Sequence, residues 1–416
     1  MKKILAIKAV NVIKGFNLLL QHFALAPYSS YLELKDLANI AIADCGSKKS
    51  LTISENEFSP DKHTSFLIQK ILNFLKPLII DHIEEINCSM FSPCEKLIVT
   101  ASKDKTVRVT NIITRNVEKK YQQQKEAVEF ATISSCGNYI ATTSLDDVNS
   151  TKIINMNDDT IVLTDTHDWG TLSAIFSPCG NFIASVSLSG DARILNLKTK
   201  EVVRNLNDIR LITFSSCGKF FATTPLAKNN ANVINIETGE SLRNIVHDSF
   251  ITFSTLLPCD KFIVTASDDG IIKKTNIETG NVIVINLNKR IVDAKLSSCG
   301  KFLATTLCEE GVKIININTK KMDGVIRGDC FKIKPSFSPC SKFIVVDSSA
   351  REVKLFNIET GKVLITIQHD AEVKSATFSS RGTFIATCSA DNITKITPLK
   401  VDSDLFKTQN KPLEKG

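Results

Sequence analysis

The sequence predicts an all-β protein built from eight copies of one repeat, and three observations support this prediction. A five-residue motif, FSPCG at 176–180, occurs eight times with small variations. Successive copies are 38 to 43 residues apart. Within each copy, apolar runs alternate with Ser, Pro, Gly and Asn turns in a pattern typical of four short strands. A period near forty residues indicates a repeat architecture.

The fourth residue of each motif serves below as the reference position of its repeat. The motifs are FSPCE (91–95), ISSCG (133–137), FSPCG (176–180), FSSCG (214–218), LLPCD (256–260), LSSCG (296–300), FSPCS (337–341) and FSSRG (378–382). Their reference positions are Cys94, Cys136, Cys179, Cys217, Cys259, Cys299, Cys340 and Arg381. An aromatic residue stands three positions later in seven copies, and Leu97 stands there in the first. Twelve positions earlier stand four of the six histidines: His82, His167, His247 and His369.

This repeat resembles the blade of WD-repeat β-propellers. That blade has a histidine before its first strand, a Ser-Pro-Asp-Gly hairpin, a Ser-x-Asp turn and a closing Trp-Asp pair. Asp104, Asp269 and Asp391 match the turn aspartate, but no repeat carries the closing tryptophan. The hydrogen-bonded chain that His, Ser/Thr, Asp and Trp form in the family must therefore be shortened here. The resemblance implies an eight-bladed β-propeller of four-stranded antiparallel blades.

The pattern predicts three parts: a small N-terminal helical and linker segment (1–74), the propeller (75–400) and a C-terminal tail (401–416). The last repeat has three strands, ending near Phe378, Ser389 and Leu399, and no convincing fourth. The resemblance implies that the apolar strand after Leu75 completes this blade. Closure of the ring in this way removes sheet edges that would otherwise favour aggregation.

Composition and charge fit this interpretation. The chain has 416 residues, 43% of them hydrophobic, so it can bury a large core. The 51 basic and 44 acidic residues give a net charge of +7. No run of like charge concentrates this excess, so the charge does not indicate a nucleic-acid interface.

The twelve cysteines predict neither disulfides nor a metal site. Seven of them occupy the reference position, so the ring would place one in each blade, beyond the roughly 7 Å limit for a disulfide. No CxxC pair is present, and Cys88 with Cys94 lacks a histidine at zinc-ligand spacing. Free thiols imply a reducing compartment, so we expect the cytoplasm.

The first thirty residues leave one alternative open. Lys8 and Lys14 interrupt one apolar run, and Gln21 and His22 interrupt the next, so the pattern lacks an uninterrupted signal-peptide core. Export through the stretch FNLLLQHFALA stays the alternative to a cytoplasmic location. No segment is long and apolar enough to predict a membrane span.

The search for catalytic motifs favours a non-enzymatic protein. Phosphate-binding, dinucleotide-binding, zinc-protease and serine-hydrolase motifs are absent, and no cofactor is expected. The four histidines belong to different blades and cannot converge on one ion. The sequence therefore predicts a monomeric scaffold that binds other proteins or peptide segments. The alternatives are a hydrolase that uses the central channel and a weak nucleic-acid binder.

The residues nine and ten positions before each reference position predict where a partner would bind. In the family these positions lie on the face that carries the His loops. Here they include Trp169, Phe250, Lys289, Arg290 and Phe331, on blades three, five, six and seven. Aromatic and Arg side chains dominate binding energy in many interfaces. We expect an arc of these side chains to bind an acidic segment with apolar residues. The alternative is that Phe250 and Phe331 pack inward between blades.

Overall fold

The structure of the chain is a computed structural model. The structure describes residues 77–122, 126–145, 151–308, 310–326, 334–347 and 351–399. Chain contacts define one compact unit of residues 79–399. The helical segment predicted at 1–74 and the tail at 401–416 lie outside the described residues, so both stay predictions. In the described ranges, no helix has the length and apolarity that a membrane span requires.

Eight antiparallel sheets of four strands form the described part of the chain, which confirms the predicted class and blade count. Blade 1 consists of β2 (Ile86–Phe91), β3 (Leu97–Ser102), β4 (Val107–Asn111) and β5 (Val117–Tyr121), and blade 2 of β6 (Phe130–Ile133), β7 (Tyr139–Thr143), β8 (Thr151–Asn155) and β9 (Ile161–Asp165). Blade 3 consists of β10 (Thr171–Phe176), β11 (Phe182–Ser187), β12 (Ala192–Asn196) and β13 (Val202–Leu206), and blade 4 of β14 (Ile209–Phe214), β15 (Phe220–Pro225), β16 (Asn230–Asn235) and β17 (Ser241–Val246). Blade 5 consists of β18 (Ile251–Leu256), β19 (Phe262–Ser267), β20 (Ile271–Asn276) and β21 (Val282–Asn286), and blade 6 of β22 (Ile291–Leu296), β23 (Phe302–Leu307), β24 (Gly311–Asn316) and β25 (Met322–Ile326). Blade 7 consists of β26 (Lys334–Phe337), β27 (Phe343–Asp347), β28 (Glu352–Asn357) and β29 (Val363–Gln368), and blade 8 of β30 (Val373–Phe378), β31 (Phe384–Ser389), β32 (Ile393–Pro398) and β1 (Leu78–Asp81).

Blade 8 is completed by the N-terminal strand, as predicted. Its strand order is β1-β32-β31-β30, so the first and last strands of the chain are neighbours. The His82 N–H also donates to the Asn392 carbonyl at 2.9 Å. Each blade contacts the next, and β2 of blade 1 contacts β30 and β31 of blade 8, which closes the ring.

The hydrophobic core lies between successive blades. The second strand of each blade is almost wholly buried because it has a neighbouring strand on each side and a blade against each face. Such strands are apolar along their length. Val99 of β3 and Ile140 of β7 belong to one apolar cluster, and Leu303 of β23 packs in a cluster with Val264 of β19. Each cluster therefore joins two blades, and the ring is held by many similar interfaces.

A short turn, called the Ser–Cys turn below, joins the first and second strands of each blade. Leu257 replaces the serine in blade 5, and Arg381 replaces the cysteine in blade 8. In seven blades a serine two residues before the reference position accepts, through Oγ, the N–H five residues later, as Ser177 accepts from Phe182 at 2.9 Å. The residue after the reference position has a positive φ in all eight blades: Glu95, Gly137, Gly180, Gly218, Asp260, Gly300, Ser341 and Gly382. The frequent glycine of the motif is explained by this left-handed conformation.

Seven of the eight third strands end in asparagine, for a local structural reason. The Asn276 Oδ1 accepts the backbone N–H groups of Glu278 and Thr279 at 3.0 and 2.8 Å. Asn111, Asn196, Asn235 and Asn316 each make the same pair of bonds. The residue that replaces the family's closing Trp-Asp pair thus caps the turn to the fourth strand.

Candidate protein interaction surface

The two ends of each first strand define two faces of the ring. The strand begins after the His loop and ends at the Ser–Cys turn, so these segments lie on opposite faces. On the His-loop face, the carbonyl nine positions before the reference position accepts an N–H from the turn between the second and third strands. Six blades have this hydrogen bond, with an N···O distance of 2.8 Å in blade 5 and 2.9 to 3.0 Å in the other five. The N–H donors and their carbonyl acceptors are Lys103 and Glu85, Leu188 and Gly170, Leu226 and Asp208, Asp268 and Phe250, Cys308 and Arg290, and Ala390 and Glu372.

Buried histidines anchor this face in blade 1 and at the junction of blades 7 and 8. The His82 Nδ1 lies 2.9 Å from Asp104 Oδ2, and its Nε2 lies 2.8 Å from Thr100 Oγ1. His369 contacts Asp391 and Thr387 in the same way, at 3.0 and 2.8 Å. A carboxylate can only accept, so Nδ1 carries the proton and Nε2 accepts from the threonine hydroxyl. Burial lowers the pKa of both histidines, which favours this neutral form.

In blade 3 the carboxylate of the histidine network comes from a residue that the sequence pattern did not single out. Ser189 stands where other blades carry the turn aspartate. Asp165, at the end of β9, instead lies 3.0 Å from His167 Nε2 and accepts from Ser185 Oγ at 2.5 Å and Arg193 Nη1 at 2.8 Å. Burial opposes ionisation of Asp165, but the hydrogen bonds from His167, Ser185 and Arg193 hold its pKa at about 2.

Blade 5 keeps the histidine without its carboxylate bond. The His247 Nε2 lies 2.8 Å from Thr265 Oγ1, and its buried Nδ1 has no hydrogen-bond partner. Asp269 accepts from the Ile271 N–H at 3.0 Å and from the Ser267 hydroxyl, so it caps its own turn. All four histidines are therefore buried parts of the fold that position loops. No group of three or more His, Cys, Asp or Glu suited to a metal ion occurs among the described residues.

The predicted arc is exposed where the structure describes it. Trp169 is 65% exposed and Phe250 is 51% exposed, so Phe250 does not pack inward between blades. The Arg290 Nε donates to Asp268 Oδ1 at 2.6 Å, and Lys289 Nζ lies 3.3 Å from Glu310 Oε1. The basic pair is therefore balanced by carboxylates of this chain. Phe331 lies outside the described residues.

Two exposed leucines lie between the aromatic residues, and the repeat pattern did not single them out. Leu188 of blade 3 is 46% exposed and Leu226 of blade 4 is 40% exposed. The side chain of Leu226 reaches the turn of blade 3, because a Cβ on Gly190 would lie 2.5 Å from its Cδ1. Their signal was a leucine nine positions after the reference position, where blades 1 and 5 carry Lys103 and Asp268. Trp169, Leu188, Leu226 and Phe250 are called the apolar arc below, and they span three consecutive blades.

The opposite face carries the cysteines of the reference positions. Seven of these thiols are exposed, and the ten cysteines in the described ranges are all free. In six blades the thiol lies 3.2 to 3.4 Å from the turn serine Oγ. Burial opposes ionisation of Cys299, but hydrogen bonds from Ser297 and Ser341 leave its pKa below the ordinary value.

Known proteins share features of both the sequence and the fold of this chain. The sequence model of the WD domain, G-beta repeat, matches residues 75–111 and 361–396. The first range includes β1 to β4, and the second includes β29 to β31 and most of β32. The C-terminal WD40 domain of Sif2 superposes with a TM-score of 0.65 at 13% identity, covering 78% of this chain and 99% of that domain. The two repeat matches, the eight blades and this superposition support a WD-repeat β-propeller.

A second solved structure supports the same fold. The computationally designed Ika8 protein matches with a TM-score of 0.66 at 18% identity, covering 78% of this chain and all of that one. At these identities the likeness shows the fold alone. No curated protein matches the sequence significantly. WD-repeat propellers are typically non-enzymatic scaffolds that bind other proteins, so the family supports the predicted class of function but no particular partner.

Proposed function

We propose that this propeller is a non-enzymatic scaffold that binds a partner protein through the apolar arc. The partner segment presents apolar side chains to the arc and an acidic group to Lys289 and Arg290. The observation that carries the proposal is the exposure of four large apolar side chains on consecutive blades 3, 4 and 5. Large apolar side chains that adjoin on a rigid surface are typical of binding sites.

The backbone behind the arc supports a preformed site. The Trp169 carbonyl accepts from Ser187 Oγ at 3.0 Å, and the Phe250 carbonyl accepts from the Asp268 N–H at 2.8 Å. The arc therefore presents its side chains from a backbone held by hydrogen bonds. A rigid surface loses little conformational entropy when a partner binds.

Asp268 also connects the aromatic part of the surface to the basic pair. Its N–H bonds to Phe250, and its carboxylate bonds to Arg290 through Nε. The Arg290 side chain is 61% exposed despite this bond. Its terminal amino groups are thus placed to donate to a carboxylate of the partner beside Phe250.

A random peptide library selected on the immobilised propeller tests this proposal. We expect enriched peptides to combine apolar and acidic residues. Replacing Trp169, Leu188, Leu226 and Phe250 together by Ala should weaken their binding at least tenfold. Replacing Lys289 and Arg290 by Ala should remove the preference for acidic residues and keep the preference for apolar ones.

A matched control replaces four exposed apolar residues of the outermost strands by Ala. Ile161, Val202, Val282 and Val363 are each about as exposed as the leucines of the arc, at 44% to 48%. This variant should bind the selected peptides like the unaltered protein. Equal loss in both variants, or undiminished binding by a folded arc variant, would exclude the arc as the site.

Two further properties belong to this proposal. We propose that the propeller is monomeric, because completion of blade 8 by β1 pairs β32 on its outer side. We also propose a cytoplasmic location, which rests on the free thiols of the described cysteines. Size-exclusion chromatography with light scattering tests the first, and fluorescence microscopy of the tagged chain in its native cell tests the second.

A further inference from the structure

The Ser–Cys turns on the face opposite the arc contact one another around the ring in a regular way. The positive-φ residue of each blade lies over the turn of the preceding blade. In blade 5 this residue is Asp260, and its two carboxylate oxygens accept the N–H groups of Ser216 and Cys217 in blade 4, both at 2.7 Å. Two adjacent backbone N–H groups that point the same way form an anion-binding concavity.

Two other junctions fill the corresponding position with a side chain of the next blade. Glu95 of blade 1 accepts the N–H of Arg381 in blade 8 and the hydroxyl of Thr383 at 2.8 Å. The Oγ of Ser341 in blade 7 accepts the Cys299 N–H of blade 6 at 3.2 Å. Each of these acceptors tolerates a positive φ, near 60°, that glycine would adopt more easily.

The other turns follow a simple alternation. Odd-numbered blades have proline before the reference position, at 93, 178, 258 and 339, and even-numbered blades have serine. Proline has no N–H to offer, and the blade that follows each proline turn carries glycine at the positive-φ position. Where the turn offers two N–H groups, the next blade supplies an acceptor, with one exception.

The exception is the junction of blades 2 and 3. The turn of blade 2 offers the N–H groups of Ser135 and Cys136, and blade 3 carries Gly180 at the position of Asp260. Gly180 lies over this turn, since a Cβ there would be 3.1 Å from Ser135 Oγ. Ser135 and Cys136 are exposed, and neither N–H donates to a group in the described part of the chain.

We propose that the Ser135 and Cys136 N–H groups form a binding site for a carboxylate from outside this chain. The ligand's two oxygens take the place that the Asp260 carboxylate occupies between blades 4 and 5, because Gly180 has no side chain to supply an acceptor there. Hydrogen bonds from N–H groups to a carboxylate are among the stronger ones in proteins. Because the site is exposed, a free carboxylate binds weakly, and an acidic side chain on a larger bound surface binds more tightly. This site is independent of the apolar arc.

The backbone amides of the cysteines provide a direct test, because a cysteine stands at the reference position of seven blades. The protein labelled with ¹⁵N-cysteine is titrated with acetate at constant ionic strength, and each amide is assigned by Cys-to-Ser substitution. We expect the Cys136 amide to shift saturably, and Cys217 to stay in place because Asp260 occupies its site. Asp260→Gly should make the Cys217 amide respond as well.

Two outcomes would overturn the proposal. One is a Cys136 amide that shifts no more than those of Cys94, Cys179, Cys259 and Cys340, which follow prolines. The other is an equal shift with chloride, which would show an adventitious ion only. A blocked peptide with one aspartate is then compared with acetate: tighter binding of the peptide identifies an acidic protein segment as the ligand, and equal affinity identifies a small carboxylate.

A second variant fills the site from within the chain. Gly180→Asp should raise the melting temperature above that of Gly180→Ala, which has the same backbone strain without an acceptor, and should abolish the acetate response of Cys136. The matched control is Gly137→Asp, where the nearest atom to a Cβ is Pro93 Cδ at 3.9 Å and residue 93 offers no N–H. Equal stability of Gly180→Asp and Gly180→Ala, with the acetate response of Cys136 retained, would contradict the site.

Discussion

Single buried residues hold the loops of the interaction face, and Asp165 is one of them. It is 3% exposed and accepts hydrogen bonds from three side chains. The sequence pattern located His167 but not its carboxylate, because the pattern looks for aspartate in the turn after the second strand. In blade 3 the chain supplies it from the preceding fourth strand. A motif fixed in sequence position cannot reveal a partner that reaches the same point in space from another strand.

Asp165→Asn should lower the free energy of unfolding by about 2 kcal/mol, since a hydrogen bond to a charged group contributes about 1.5–3 kcal/mol to stability. The matched control is Asp168→Asn, three residues later at an exposed position, which should change stability by less than about 0.5 kcal/mol. Urea denaturation measures both. Equal midpoints for the two variants would show that the Asp165 network contributes nothing to stability.

The lowered pKa of His247 predicts how the stability of the protein depends on pH. Burial, with the charge of Lys273, lowers the pKa of His247 to about 4, from an ordinary value of 6.5. Between these values the unfolded chain binds more protons than the folded one, so stability is complete above pH 6.5 and falls as the pH approaches 4. His247→Gln should flatten this decline, measured as the free energy of unfolding at several pH values. Parallel curves for the variant and the unaltered protein would contradict the assignment.

The sequence predicts the strands more completely than it predicts their β-bulges. The apolar runs predicted four strands per repeat, and in blade 8 they placed three strands within one residue of their observed ends. The β-bulge near the start of β10, β14 and four other first strands was not predicted. A bulge adds one residue without changing the apolar pattern of the rest of the strand, so it leaves no clear signal.

The asparagine that ends seven of the eight third strands should stabilise its turn measurably. Asn276→Ala removes two bonds to backbone N–H groups and should cost about 1 kcal/mol, as loss of a comparable capping side chain does in helices. Asn281→Ala, five residues later and exposed, should cost less because its side chain makes no hydrogen bond in the described structure. Chemical denaturation compares them. An equal or greater loss of stability from Asn281→Ala would mean that the backbone alone holds the turn.

At the scale of the whole ring, the sequence predicted the number of blades and the closure, because both follow from counting repeats and their missing strand. The contacts between neighbouring turns were not predictable in the same way. Asp260 appears in the sequence only as a departure from glycine, and its bonds to blade 4 depend on how two blades pack. The apolar arc has the same origin, because Leu226 of blade 4 is far in sequence from the turn of blade 3 that its side chain reaches across a blade interface.

Closure by β1 should be required for the stability of the ring. Ile80 and Ile79 are neighbours on β1, but Ile80 is 3% exposed and Ile79 is 57% exposed, so they point to opposite faces of blade 8. Ile80→Asp places an unpaired charge in the core and should cost at least about 3 kcal/mol, whereas Ile79→Asp should cost less than about 1 kcal/mol.

Buried thiols on both sides of the closure report whether it has opened. Cys388 of blade 8 and Cys88 of blade 1 are buried, and burial raises the pKa of Cys88 to about 12, which makes it unreactive in the folded state. Under native conditions both should resist alkylation in Ile79→Asp and react in Ile80→Asp, as measured by mass spectrometry of the intact chain and its peptides. If both thiols stayed protected in Ile80→Asp and the two variants melted together, pairing of β1 with β32 would not be what closes the ring.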